Sequence, residues 1–153
     1  MSGMTPRPQD PLQRFVAAQE GVYETALAEL RRGRKRTHWM WFVFPQIAGL
    51  GTSERAVHFA IASRAEAAVY LAHPVLGPRL IACCEALLAL EGSSAESVLG
   101  EVDALKLRSS MTLFAAVAEG DSVFRRVLSA YYDGREDPRT LSMLALAPPH
   151  PAP

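Results

Sequence analysis

The chain has 153 residues, of which 49% are hydrophobic and 21% charged. That length suits a single domain with an ordinary core, and the composition excludes disorder over the bulk of the chain. Sixteen basic residues balance sixteen acidic ones, so no overall field draws the chain to nucleic acid or membrane, and no apolar run approaches the roughly 18 residues of a membrane span.

The first ten residues are polar and resemble neither a signal peptide nor a transit peptide. The two cysteines, Cys83 and Cys84, are adjacent. A vicinal disulfide is strained, so they read as small, reduced, apolar side chains, and the expected address is the cytoplasm. His38, His58, His73 and His150 lie 20, 15 and 77 residues apart, unlike the close spacings of zinc ligands, so no metal site is expected.

The pattern is helical from end to end. Asp10 before Pro11 reads as an N-cap with proline at the first helical position. An apolar face through Leu12, Phe15, Val16, Gln19, Val22, Tyr23, Leu27 and Leu30 then predicts one helix to Gly33. Ser53 caps the next helix, with His58 at its boundary. Ser63-x-x-Glu66 reads as a capping box for a helix through Leu71. His73-Pro74 breaks that helix, with the His73 ring placed to cap an end, and a stripe of Leu76, Leu80, Ile81, Cys84, Leu87 and Leu88 follows. Ser93-x-x-Glu96 predicts a short helix to Gly100. Asp103 is expected to cap a helix through Ala118, Asp121 another to Gly134, and Asp137-Pro138 a last one to about Leu146. The expected fold is all-α: one compact domain over residues 10–146, with six to eight helices in irregular orthogonal packing. Residues 1–9 and the proline-rich 147–153 are expected to be tails.

Residues 31–51 depart from an ordinary core. Arg31, Arg32, Arg34, Lys35 and Arg36 are followed by His38-Trp39-Met40-Trp41-Phe42-Val43-Phe44-Pro45-Gln46, which holds both tryptophans of the chain. Cations feeding an aromatic cluster suit phosphates and flat rings. Two readings stay open. Either the segment threads the core and the cations solvate its entrance, or His38, a Trp edge and Gln46 line a pocket with cations at its mouth. A second anomaly lies on the helix from Asp103, which is apolar nearly all round yet carries Lys106, Ser109 and Ser110 on one arc. A lysine and two hydroxyls suit a phosphate, a carboxylate or an internal acid. They also suit nucleophilic catalysis in principle, although no triad or nucleophile elbow accompanies them.

Several stretches together carry a resemblance: Leu12 to Phe15 with Ala18-Gln19, His38 to Gln46 with Gly49-Leu50-Gly51, Ala67 to Leu80, Lys106 to Val117, and Asp137 to Leu141. In this order, and over about residues 10–144, the chain resembles the uncharacterised bacterial family catalogued as domain of unknown function 1810. The resemblance implies a compact, single-domain, all-α fold and brings no activity, cofactor or catalytic residue with it. The name calpastatin, often attached to that family, finds no support here: this chain reads as folded, whereas a calpain-inhibitor segment is expected to be disordered and repetitive.

The leading expectation is a pocket for an anionic small molecule, nucleotide-like, between the 38–46 segment and the 103–118 helix. His38, Trp39, Trp41 and Gln46 would shape it, Lys106 would supply charge, and Ser109 and Ser110 would donate hydrogen bonds. The alternative is a protein-interaction module docking through the basic 31–36 run. Clustered cations would make nucleic-acid binding salt-sensitive, and the neutral overall charge argues against it.

Overall fold

A computed structural model describes residues 11–146. They form ten helices and, among the described residues, no strand beyond a single parallel bridge between Ile47 and Ile61. The helices are α1 (Gln13–Gln19), α2 (Tyr23–Arg32), α3 (Met40–Val43), α4 (Glu54–His58), α5 (Arg64–Ala72), α6 (Leu76–Ala89), α7 (Ala95–Leu99), α8 (Glu101–Val117), α9 (Val123–Tyr132) and α10 (Pro138–Leu146).

Ten exceeds the expected six to eight partly because the first predicted helix is two. Glu20 turns to extended backbone and Gly21 takes φ +74°, a conformation that glycine adopts without a Cβ penalty. The break lets α2 lie along α6 while α1 meets α3. The predicted cap at Asp10 lies outside the described residues.

The other boundaries follow the cap chemistry, with small shifts. Ser53 and Ser63 accept from the backbone N–H of Ala56 and Glu66, as read. The Glu66 carboxylate reaches back one residue further than a capping box requires, to the Ala62 N–H. Nδ1 of His73 accepts from the N–H groups of Val75 and Leu76, so the ring caps the start of α6. The box expected at Ser93 and Glu96 is formed instead by Ser94 and Ser97, whose hydroxyls serve each other's backbone N–H. Ser122, not Asp121, caps α9. Gly100, with φ +87°, both ends α7 and opens α8. Asp103 is therefore inside the first turn of α8 rather than at its cap, which leaves its carboxylate available for other partners.

Helices α5, α6, α8 and α9 form a closed ring of contacts, with α2 on α6 and with α7 and α10 on α8. An aromatic series, Phe42–Phe59–Phe15–Tyr70–Phe114–Phe124, runs through the interior with neighbouring centroids 5.1–5.8 Å apart. Cys83 and Cys84 are free and buried in α6, and burial pushes the Cys83 thiol up to about 12. Among the described residues no single helix is long and apolar enough to cross a membrane.

Helices α5 and α6 meet at 87°, and Gly77 makes the corner possible. A Cβ there would fall 2.1 Å from the carbonyl oxygen of Leu71. Gly77→Ala is expected to cost about 1–3 kcal/mol and to lower the melting temperature by roughly 2–4 °C per kcal/mol. A thermal melt unchanged by this substitution would show that the two backbones do not meet so closely.

Candidate functional site

The site begins with a buried carboxylate. Glu29, on α2, accepts four hydrogen bonds: from the backbone N–H of Arg36 (2.9 Å) and Thr37 (3.1 Å), the Thr37 hydroxyl (2.8 Å) and Nε1–H of Trp39 (2.8 Å). Burial alone would raise its pKa. The hydrogen bonds from Arg36, Trp39 and Thr37 outweigh that and hold the carboxyl down at about 2. They also fix the path of residues 35–39. Trp39 is fully buried beneath it, and Lys35 is turned inward.

Lys35 and Lys106 are the chain's two lysines, and both converge on Asp103, Lys35 at 2.9 Å and Lys106 at 3.5 Å. Two cations share one anion, so the triad carries a surplus positive charge. The Lys35 side chain is 9% exposed and Lys106 is 23% exposed, which puts the surplus on the solvent side, at Lys106. Nζ of Lys106 also stands 4.5 Å from the centre of the Trp41 indole. The Arg55 guanidinium of α4 lies 5.2 Å from the same ring, so two cations share its π-system.

Trp41, Gln46 and Lys106 border a cleft of about 410 Å³, closed on its other sides by Ser53, Ser109 and Arg139. Its lining contains two cations and no carboxylate, and exposed Val102 and Leu105 form an apolar rim. The loop from Ile47 to Ile61 makes one wall. Its base is closed by hydrogen bonds from the Ala48 N–H to the Ile61 carbonyl and from the Ile61 N–H to the Gln46 carbonyl, both 2.8 Å. Arg14 ties the carbonyls of His58 (2.7 Å) and Ala60 (2.6 Å), and Arg139 ties that of Leu50 (2.9 Å). Such a closed-base surface loop is an Ω-loop, and its helix α4 buries no residue.

Of the seven residues singled out in the sequence, Trp41, Gln46, Lys106 and Ser109 therefore share one cleft. His38 does not join them; it lines a separate cleft of about 540 Å³ with Phe42, Glu54, Arg55, His58 and Phe59. Trp39 is in the core on Glu29. Ser110 is also in the core, and its hydroxyl finds no hydrogen-bond partner among the described residues. Ser109 reaches the cleft, but its hydroxyl donates to the carboxylate of Asp137 (3.1 Å) or to the Leu105 carbonyl (3.2 Å). It therefore faces a ligand as an acceptor. Ser53, whose oxygen only accepts from Ala56 N–H, keeps a free hydroxyl proton.

Asp137 is a second carboxylate held by neutral donors, all of them on one oxygen, Oδ2. It accepts from the Thr140 N–H (3.0 Å), the Thr140 hydroxyl (2.6 Å) and Ser109. Burial raises its pKa, but these bonds prevail and hold it below the ordinary carboxylate value. The same contacts anchor α10, and so Arg139, against α8. Sequence reasoning missed Arg139, Arg55, Glu29 and the bridging role of Asp103. Glu29 had a signal, since it lies three residues after Ala26 and one before Leu30, inside the buried stripe.

Residues 9–144 match a family model described as a protein of unknown function, DUF1810. The chain belongs to this family. Its fold is similar to the crystal structure of the conserved hypothetical protein Rv1873 from Mycobacterium tuberculosis, at 51% sequence identity and a TM-score of 0.87, with 89% of this chain and 97% of that one covered. None of the curated proteins matches the chain. The family assignment carries no activity, so function rests on the chemistry of the clefts.

Two outcomes follow. A carboxyl whose folded pKa lies below its ordinary value of 4.5 stabilises the fold above that pH and loses the contribution as pH falls toward 2. For Glu29 this amounts to about 3 kcal/mol. Glu29→Gln is expected to unfold more easily at pH 7 and to show a flatter acid limb in melting temperature against pH; parallel limbs would refute an ionised Glu29. Ser110→Ala removes an unpaired buried hydroxyl and is expected to be neutral or to stabilise by about 1 kcal/mol in urea unfolding. A loss of that size would reveal a partner for the hydroxyl.

Proposed function

We propose that this protein binds an anionic small molecule in the cleft between the 41–53 segment and α8. The observation that carries this reading is the charge of the lining: Lys106 and Arg139 face the cavity, and no carboxylate does. Lys106 brings surplus charge from the Lys35–Asp103–Lys106 triad. Arg139 lends only part of its guanidinium to the Leu50 carbonyl and keeps further N–H donors for an anion. Ser53 adds a hydroxyl donor, and Trp41 with Val102 and Leu105 offers apolar surface beside the charged end.

Inorganic pyrophosphate is a suitable probe because it presents charge and oxygens without a body. Calorimetric titration is expected to show binding that weakens with salt. Lys106→Ala should weaken it about ten- to a hundred-fold, since a hydrogen bond to a charged group is worth about 1.5–3 kcal/mol. The fold should persist, because Asp103 retains Lys35. An absence of pyrophosphate binding, or equal affinity in the variant, would refute this assignment.

A second reading rests on the basic run. Arg31, Arg32, Arg34 and Arg36 are exposed and make no ion pair among the described residues, while Lys35 alone is committed inward. This supports docking of an acidic protein segment. Binding of a polyglutamate peptide, lost on charge reversal at Arg34 and Arg36 and retained in Lys106→Ala, is its expected signature.

A further inference from the structure

The two clefts are separated by α4 and share the floor made by α3. Trp41 faces the cationic cleft and Phe42 the second one. Ser53, which caps α4, and Ala56 on it face the first cleft, while Glu54, Arg55 and His58 face the second. The crossing point is the Arg55 guanidinium above the Trp41 indole. Arg55 is exposed and forms no ion pair among the described residues, although Glu54 is its chain neighbour.

The second cleft has a different character from the first. Four flat rings bound it: Phe42 and Phe59, with centroids 5.3 Å apart, His58 edge-on to Phe59 at 4.6 Å, and His38. Imidazole nitrogens and the Glu54 carboxylate add hydrogen-bonding capacity at the edge of this aromatic wall. A flat heteroaromatic ring suits such a space, since it stacks or tilts on neighbouring rings and presents polar edges. The cationic cleft suits phosphate oxygens. Between them stands an unpaired guanidinium, a natural partner for an anionic spacer.

We propose that the two clefts hold one ligand of the nucleoside-diphosphate class, its phosphates beside Lys106 and Arg139 and its ring between His38, His58, Phe42 and Phe59, with Arg55 at the crossing. This rests on the anion-binding reading of the first cleft. It also assigns His38 and His58 as the residues that choose among ring-bearing phosphates, a role distinct from that of Lys106.

The test compares pyrophosphate, ADP and adenosine by calorimetry on the full chain, with tryptophan fluorescence as a second readout. ADP is expected to bind at least ten-fold more tightly than pyrophosphate, and adenosine more weakly than ADP. His38→Ala and His58→Ala alter exposed side chains and should remove most of the ADP advantage while leaving pyrophosphate affinity within about two-fold. Arg55→Ala should weaken ADP more than pyrophosphate. If pyrophosphate binds and ADP binds no better, the two-cleft ligand is wrong and the anion site stands. If adenosine matches ADP, the clefts act separately and the proposal fails. If none of the three binds, both readings fall together.

Discussion

The carboxylate of Glu29 is the contact on which the site depends. A buried carboxylate without an ion-pair partner is costly unless its oxygens are saturated with donors. Here the donors are two backbone N–H groups, a hydroxyl and an indole from residues 36–39. Meeting that requirement coils the chain tightly after α2 and buries Trp39. The same turn brings Lys35 to Asp103. With Lys35 holding one carboxylate oxygen and Lys106 the other, the ammonium of Lys106 is placed beside Trp41. The cation at the cleft is thus the last member of a chain of polar contacts that begins on α2.

The opposite wall is built on another principle. The Ω-loop has almost no core of its own: α4 buries no residue, and the loop is held by its base bridge, by Arg14 and by Arg139. Arginine suits this because one planar guanidinium can hold carbonyl oxygens that no helix satisfies. A wall fastened at its base and by side-chain ties belongs to the low-stability end of a structure. The contrast with the floor is informative, since α3 is packed into the aromatic interior and α8 contributes nine buried residues. The cleft is therefore formed between one rigid surface and one weakly packed one.

Fold class was legible because it rests on local, repeated signals: apolar stripes, serine caps and proline starts. The errors arose where one residue carried the decision. Gly21 broke a stripe that stayed in phase across it. A serine pair one residue further on displaced the expected Ser93–Glu96 box, because the Ser94 and Ser97 hydroxyls satisfy each other's backbone N–H. The site was legible only in part. Lys106 stood out as a cation on an apolar helix, and Trp41 and Gln46 as polar-edged residues in an apolar run. Composition could not separate Trp39 from Trp41, two residues apart on a short helix margin, because one indole finds Glu29 and the other finds Lys106. Arg55 and Arg139 were two arginines among fourteen, and their roles come from loop closure across long sequence distance, which no local pattern encodes.

A chain with no net charge can still build a strongly polarised cleft, provided its acids are satisfied elsewhere. Glu29 and Asp137 accept their hydrogen bonds from neutral donors, the nearby Arg108 charge also favouring ionised Asp137. Asp103 takes two lysines at once and leaves one of them in surplus. Each arrangement withdraws a carboxylate from the cation pool without adding negative charge to the cleft wall. Arg139 and Lys106 can then face the same cavity with no carboxylate in its lining, Asp103 standing behind Lys106 and Asp137 behind Ser109. Global neutrality, set by the residue counts, therefore coexists with a local excess of positive charge in the cleft lining. The reading of overall charge as evidence against anion binding holds for extended polyanions, which sample the whole surface, and not for a small ligand confined within one cleft.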